Sequence, residues 1–261
     1  MADPRTAPPG ADRPLAVVTG AAGNVGGALV PRLTAAGFRV LAVDRPGTHT
    51  WPPEALDHLE VDLSDPDGEV VLRRAADVLG PAQLTVAAAG VTALGDFDDT
   101  DDAAFRRVVD VNLHGALRTL RATLPGLRAT RGQCVVLSSV AGLLPVLGRP
   151  AYVGAKHAVT GTFRALAAEL APDGVAVTVL HPTFLATPVL EVGAGAVDRS
   201  VTGAALTADD VAGAVLRLVA RHHAGRRVPT RQLLGRTARV ADLAARLAPE
   251  AALRLAARRL R

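Results

Sequence analysis

The chain has one tyrosine and one lysine, and they stand four residues apart in Tyr152-Val153-Gly154-Ala155-Lys156. Lysine and arginine together number 29, so every basic residue except Lys156 is arginine. A planar guanidinium does not replace a compact ammonium, and a lysine that persists in such a chain marks a place where the point charge itself is wanted. On a helix, residues i and i+4 share a face. A phenol and an ammonium would then point into one space, where the cation favours phenolate and lowers the tyrosine pKa. The chemistry expected of the pair is general acid/base catalysis near neutral pH. The bland alternative is an incidental pair on a helix surface, and the surrounding residues have to decide between the two.

From Pro14 onward, short apolar runs alternate with longer helical patterns, the signature of βαβ units around a parallel sheet. The strand candidates are Leu15–Thr19, Phe38–Val43, His58–Asp62, Leu84–Ala88, Cys134–Ser138 and Val175–Leu180. They are continuous and rich in Val, Leu and Ala, as strands buried on both faces are. Helical stretches are expected near Val25–Ala36, Asp67–Leu79, Asp101–Arg128, Ala151–Leu170 and Asp209–Arg221. This reads as a disordered leader over residues 1–13, a doubly wound α/β domain over 14–230, and a basic amphipathic helical tail over 231–261.

Thr19-Gly20-Ala21-Ala22-Gly23-Asn24-Val25-Gly26 follows the first strand and opens the first helix. Glycines there allow a tight turn, so the helix N-terminus can hold a pyrophosphate. Asp44 closes the second strand 18 residues beyond Gly26, the placement of the carboxylate that accepts ribose hydroxyls in dinucleotide sites. A carboxylate repels a 2′-phosphate, which favours NAD(H) over NADP(H), although Arg45 follows directly and could tolerate that phosphate. Asp62-Leu63, ending the third strand, is placed to touch the adenine.

Together these pieces resemble the short-chain dehydrogenase/reductase family in its single-domain branch, over roughly Leu15 to Val219. The family's Tyr-x-x-x-Lys falls on Tyr152 and Lys156, its serine on Ser139, and its helix asparagine on Asn112. Ala89 and Gly90 match the end of the Asn-Asn-Ala-Gly motif, which here reads Ala87-Ala88-Ala89-Gly90. His181-Pro182-Thr183 stands for the Pro-Gly motif without its glycine, and Thr187 for the downstream threonine. The glycine loop is spaced as in the two-domain branch, for whose extra substrate domain the chain is too short.

The resemblance implies a Rossmann-type sheet of about seven strands in the order 3-2-1-4-5-6-7. It implies an NAD(P)-dependent oxidoreductase that moves hydride between a nicotinamide and a carbonyl or secondary alcohol. Tyr152 would exchange the proton, Lys156 would lower its pKa and hold the nicotinamide ribose, and Ser139 would hydrogen-bond the substrate oxygen. Asn112 would fix a water linking Lys156 to solvent. Pro182, Thr183 and Thr187 would border the cofactor, and the protein would be a homodimer or homotetramer. A non-catalytic dinucleotide sensor and a sugar-nucleotide epimerase or dehydratase are the alternatives on the same fold.

Composition narrows the remaining classes. Leu94, Leu143, Leu144, Val146, Leu147, Phe184, Val189 and Leu190 flank the expected site, and a lipophilic ketone or alcohol fits them better than a charged substrate. No apolar stretch approaches the length that crosses a bilayer, and the first residues lack a signal peptide's pattern, so a cytoplasmic protein is expected. Cys134 is the only cysteine and lies in an apolar run, a buried small hydrophobe.

The run Asp96-Phe97-Asp98-Asp99-Thr100-Asp101-Asp102 is expected to cap a helix rather than bind metal. His222 and His223 are adjacent and diverge on a helix, so no metal site is expected. Net charge is +4, yet residues 221–261 carry 11 Arg against Asp242 and Glu250. The basicity therefore belongs to the tail, and nucleic acid is not an expected partner. Val240, Leu243, Ala244 and Leu247 recur at helical spacing, and Leu253, Ala256, Ala257 and Leu260 repeat the pattern after Pro249. Such stripes ordinarily bury against protein, in the same or a partner subunit; an anionic membrane surface is the less favoured reading.

Overall fold

The computed structural model describes residues 12–47, 50–55, 57–183, 185, 190–191 and 206–258. Seven parallel strands form one sheet: β1 (Leu15–Thr19), β2 (Arg39–Asp44), β3 (Asp57–Glu60), β4 (Ala82–Ala87), β5 (Gln133–Leu137), β6 (Ala176–Pro182) and β7 (Arg231–Leu234). Their order is β3-β2-β1-β4-β5-β6-β7. The chain reverses direction across the sheet between β1 and β4, the place where doubly wound sheets open a crevice at the carboxyl ends of their strands.

The strands alternate with α1 (Asn24–Ala35), α2 (Gly68–Leu79), α3 (Asp102–Val109), α4 (Gly115–Thr130), α5 (Pro150–Glu169) and α6 (Ala208–His223). Side chains point to opposite faces with period two, so each strand feeds two cores. Ala16 and Val18 pack with Leu29 and Leu33 of α1 and with Val211, Val215 and Leu218 of α6. On the other face Leu15 and Val17 meet Leu72 of α2. There also Cys134 and Val136 meet Leu120 and Leu127 of α4 and Val159 and Phe163 of α5. Cys134 is buried, as expected. The two edge strands depart from burial on both faces: β3 alternates between half-buried and exposed, and β7 is half-buried throughout.

The helix expected over Asp101–Arg128 runs from 102 to 130 but is interrupted at Asp110–His114 by a π-helical turn. Such bulges shift the register of a face within an otherwise continuous helix. Within this one Asn112 is 1% exposed. The acidic run does cap: the Asp101 carboxylate accepts from the Ala104 amide at 2.7 Å. Among the described residues no group of His, Cys, Asp and Glu could hold a metal ion.

The domain boundary expected at residue 230 is displaced. Arg231–Leu234 is the seventh strand, paired with Val179–Pro182 of β6, so the sheet extends into the supposed tail. Four residues beginning Arg-Gln are too short and polar to read as a buried strand, but they suit a short edge strand. After it come α7 (Arg236–Leu247) and α8 (Pro249–Arg258), broken at Pro249 as the pattern predicts. Of the three readings open for the α7 stripe, docking on its own subunit is not what this fold shows. α7 turns Ala238 and Asp242 inward, and Asp242 pairs with Arg231 of β7. Val240, Leu243 and Leu247 are left exposed. Among the described residues no helix is long and apolar enough to cross a membrane.

Candidate active site

The glycine loop lies at the crevice. Gly20 has φ +68°, and a Cβ there would fall 2.7 Å from the Ala89 amide nitrogen of the segment after β4. A Cβ on Gly26 would fall 2.2 Å from the Gly20 carbonyl oxygen. Both contacts are with backbone, so neither position accepts a side chain without moving the loop. Gly23 is the N-cap of α1, where no side chain caps the helix and no acidic residue sits in the first turn. The amides of this first turn, including those of Asn24 and Val25, suit a pyrophosphate, drawn by the positive end of the helix dipole.

Asp44 ends β2 beside this loop. Its carboxylate accepts from the Ala22 amide at 3.0 Å and from the Arg45 amide at 2.8 Å. Two backbone donors fix its orientation, and four lone-pair sites leave capacity for hydroxyl groups. Asp62 is more heavily engaged than its strand-end position suggests, accepting from Ser64 Oγ at 2.6 Å and from Arg107 at 3.1 Å. Burial raises its pKa, but Ser64 and Arg107 outweigh burial and hold the carboxyl below its ordinary value. The Leu63 carbonyl accepts from Arg118 at 2.8 Å.

Tyr152 and Lys156 sit on the first half of α5, whose Pro150 fills the first helical position with its φ already suited to a helix. Both side chains are buried. Burial pushes the Tyr152 phenol above its ordinary pKa, and the Ser139 hydroxyl and the Arg149 charge oppose this without cancelling it. The lowering by Lys156 expected from the spacing is therefore not seen. Lys156 Nζ stands 5.5 Å from the Tyr152 ring centroid and donates to the Leu137 carbonyl at 2.9 Å. Burial pulls Lys156 itself down to about 8.

Ser139 lies just past β5, and its Oγ accepts from the Ala141 amide at 3.2 Å. Asn112 donates to the carbonyls of Val91 and Val108, each at 2.8 Å. Its Oδ1 is buried and meets no partner. A Cβ on Gly90 would lie 2.8 Å from that Oδ1 and 3.6 Å from Lys156 Nζ. An unpartnered acceptor and a cation thus both face Gly90, and a side chain at that position would strike the asparagine.

Sequence reading assigned no role to His181. Its ring is fully buried, and Nδ1 donates to the Ser139 carbonyl at 3.0 Å, tying β6 to the serine turn. That bond places the proton on Nδ1 and leaves Nε2 a buried acceptor without a partner. A histidine directly before the Pro-Gly position was the available signal, but nothing in sequence shows which carbonyl it reaches. Burial pulls its pKa down to about 4 against the ordinary 6.5, with the Ser139 bond opposing.

A depressed folded pKa means stability that is present above pH 6.5 and is lost as pH falls through 4. The shift corresponds to roughly 3 kcal/mol. His181→Asn keeps a donor for Ser139 without the titration. Urea unfolding at pH 7 and pH 4.5 is expected to show a clearly smaller acid loss in the variant; equal losses would remove His181 from the account.

Pro182 and Thr183 are buried beside His181. Thr187, Phe184 and Val189 lie outside the described residues. Leu143, Leu144 and Val146, in the turn after Ser139, are half-buried, and Leu147 is exposed. Val91–Thr92 pairs with Leu190–Glu191 in a two-residue parallel bridge, which brings the segment after β6 toward the segment after β4.

Residues 14–194 match the short chain dehydrogenase family. The chain is 34% identical over 201 residues to an uncharacterized NAD-dependent oxidoreductase of Mycobacterium tuberculosis (strain CDC 1551 / Oshkosh), covering 68% of this chain and 73% of that one. It is 32% identical over 201 residues to a (-)-trans-carveol dehydrogenase of Rhodococcus erythropolis, again covering 68% and 73%. The structure of a short-chain dehydrogenase from Streptomyces avermitilis superposes with a TM-score of 0.79 at 24% identity, covering 92% of this chain and 95% of that one. A glycine loop shaped for a dinucleotide, a Ser139-Tyr152-Lys156 cluster past the carboxyl end of β5 and these matches agree: the chain belongs to the short chain dehydrogenase family and is an NAD(P)-dependent oxidoreductase acting on small-molecule alcohols or carbonyls.

Proposed function

We propose that the chain is an NAD(H)-preferring dehydrogenase/reductase of lipophilic secondary alcohols and ketones, with Tyr152 as the proton-exchanging group. The observation that carries this reading is geometric: a buried phenol that meets the Ser139 hydroxyl, with the Nζ of the only lysine 5.5 Å from its ring centroid. A phenol carries its proton at neutral pH and can give it to an oxygen on which negative charge grows. In the reductive direction Ser139 donates a hydrogen bond to the carbonyl oxygen, where negative charge grows. Tyr152 gives its proton to that oxygen, and the C=O double bond becomes C–OH. The nicotinamide, when bound, supplies the hydride that the carbonyl carbon takes. The phenolate then regains a proton from the side of Lys156, with Asn112 Oδ1 holding the water that connects the lysine to solvent.

Gly20, Gly23, Asn24, Val25 and Gly26 hold the pyrophosphate in this reading. Asp44 takes the adenosine ribose, Asp62 and Leu63 border the adenine, and Ala89, Gly90, Pro182, Thr183 and Thr187 border the remainder. The preference for NAD(H) rests on Asp44, whose carboxylate is fixed by two amides and would repel a 2′-phosphate. Binding titrations are expected to give tighter NADH than NADPH, with Asp44→Ala bringing the two within a few-fold. A wild-type preference for NADPH would mean that Arg45 prevails.

The apolar residues Leu143, Leu144 and Val146 after the serine turn support a lipophilic substrate, as does the likeness to a carveol dehydrogenase. An assay of NADH oxidation over a panel of cyclic and open-chain ketones tests that class. Turnover confined to charged carbonyls would contradict it. A homodimer or homotetramer in the cytoplasm completes the reading.

A further inference from the structure

We propose that α7 is a docking surface for an anionic phospholipid bilayer, which holds the enzyme at a membrane surface. On this helix, residues 236, 240, 243 and 247 share a face at 3.6-residue spacing. Val240, Leu243 and Leu247 on that face are 68%, 57% and 76% exposed. An amphipathic helix ordinarily turns its apolar side inward, and here the sides are exchanged. The face that packs on the domain carries Ala238 and the carboxylate of Asp242, held there by Arg231 of β7.

Charge selects the occupant. Arg236 heads the apolar stripe, and Arg239 and Arg246 border it on one side; all three are exposed. The one acidic residue of α7, Asp242, is turned inward and shared between Arg231 and Arg246, so it offsets Arg246 in part and the outward face stays cationic through Arg236 and Arg239. A second copy docked on this stripe about a two-fold axis would lie antiparallel, centred near Leu243. Arg239 of one copy would then approach Arg246 of the other, and repulsion would oppose the contact. A bilayer with anionic headgroups suits both features: the three apolar side chains enter the acyl boundary and the guanidinium groups meet phosphates. A membrane surface is also where a lipophilic substrate concentrates, although the docking surface stands whether or not that substrate reading does.

The test is co-sedimentation of the full chain with phosphatidylcholine vesicles, with and without phosphatidylglycerol, alongside the solution mass of the unbound protein. The wild type is expected to bind only the phosphatidylglycerol vesicles, more weakly as salt is raised. Leu243→Asp/Leu247→Asp should weaken binding by roughly tenfold or more for each leucine no longer inserted. Arg236→Ser/Arg239→Ser should weaken it by about fivefold per arginine. NADH binding and solution mass should be unchanged in both variants, since all four residues are exposed. Wild-type protein that stays in the supernatant, or binding indifferent to these substitutions, overturns the proposal. A fall in solution mass on Leu243→Asp/Leu247→Asp also overturns it and makes the stripe a contact between copies.

Discussion

Replacing Tyr152 with Phe is expected to lower turnover by roughly two to four orders of magnitude while NADH binding stays within a few-fold of wild type. The change removes one oxygen and almost no volume from a buried site, so α5 and its packing against Val91, Ala93 and Val108 remain. What is lost is the only phenol in the chain and the partner of the Ser139 hydroxyl. Stopped-flow turnover beside fluorescence titration of NADH separates the two quantities. Near-normal turnover with intact binding would remove Tyr152 from the chemistry.

Lys156→Met should produce the second large loss, about 100-fold or more in turnover, with no loss of thermal stability. The lysine is 4% exposed, and its ammonium donates to the Leu137 carbonyl. Burial of that charge is costly, as its depressed pKa of about 8 records. An unbranched thioether of similar length removes this cost, so the melting temperature should hold or rise while function falls. The same depression gives a pH dependence. Lys156 carries its charge below about 8, so carbonyl reduction should decline as pH rises through that value and the cation is lost. A Lys156→Met protein that melts much earlier and turns over normally per folded molecule would make the residue structural.

The fold was legible because its signals are local. Five of the six strands expected were visible as Val/Leu/Ala-rich runs, since strands buried on both faces are predominantly apolar, and the third, at the edge, by the short run around Leu59 and Val61. The seventh was not, because Arg231–Leu234 is a short edge strand whose pairing with β6 is set by tertiary contact. The Tyr152–Lys156 juxtaposition followed from helical spacing, and so did the loop that opens α1. The direction of the Tyr152 shift did not follow, because desolvation depends on what surrounds the ring and not on what lies four residues away. The same limit applied to Asn112, which a π-helical turn buries, and to His181, whose partner is 42 positions distant. For α7 the apolar period was plain in the sequence. Which face meets the domain was decided by Asp242 and Arg231, a pairing that periodicity does not encode.

In the proposed reaction Tyr152 gives a proton to the carbonyl oxygen while the carbonyl carbon takes hydride from the nicotinamide. Reduction of a ketone with NADH deuterated at the transferring position tests it directly. Mass spectrometry of the alcohol should show one deuterium on the carbinol carbon with wild-type enzyme, and almost no product with Tyr152→Phe over the same time. Alcohol formed without deuterium, or labelled alcohol formed equally fast by both proteins, would contradict the account.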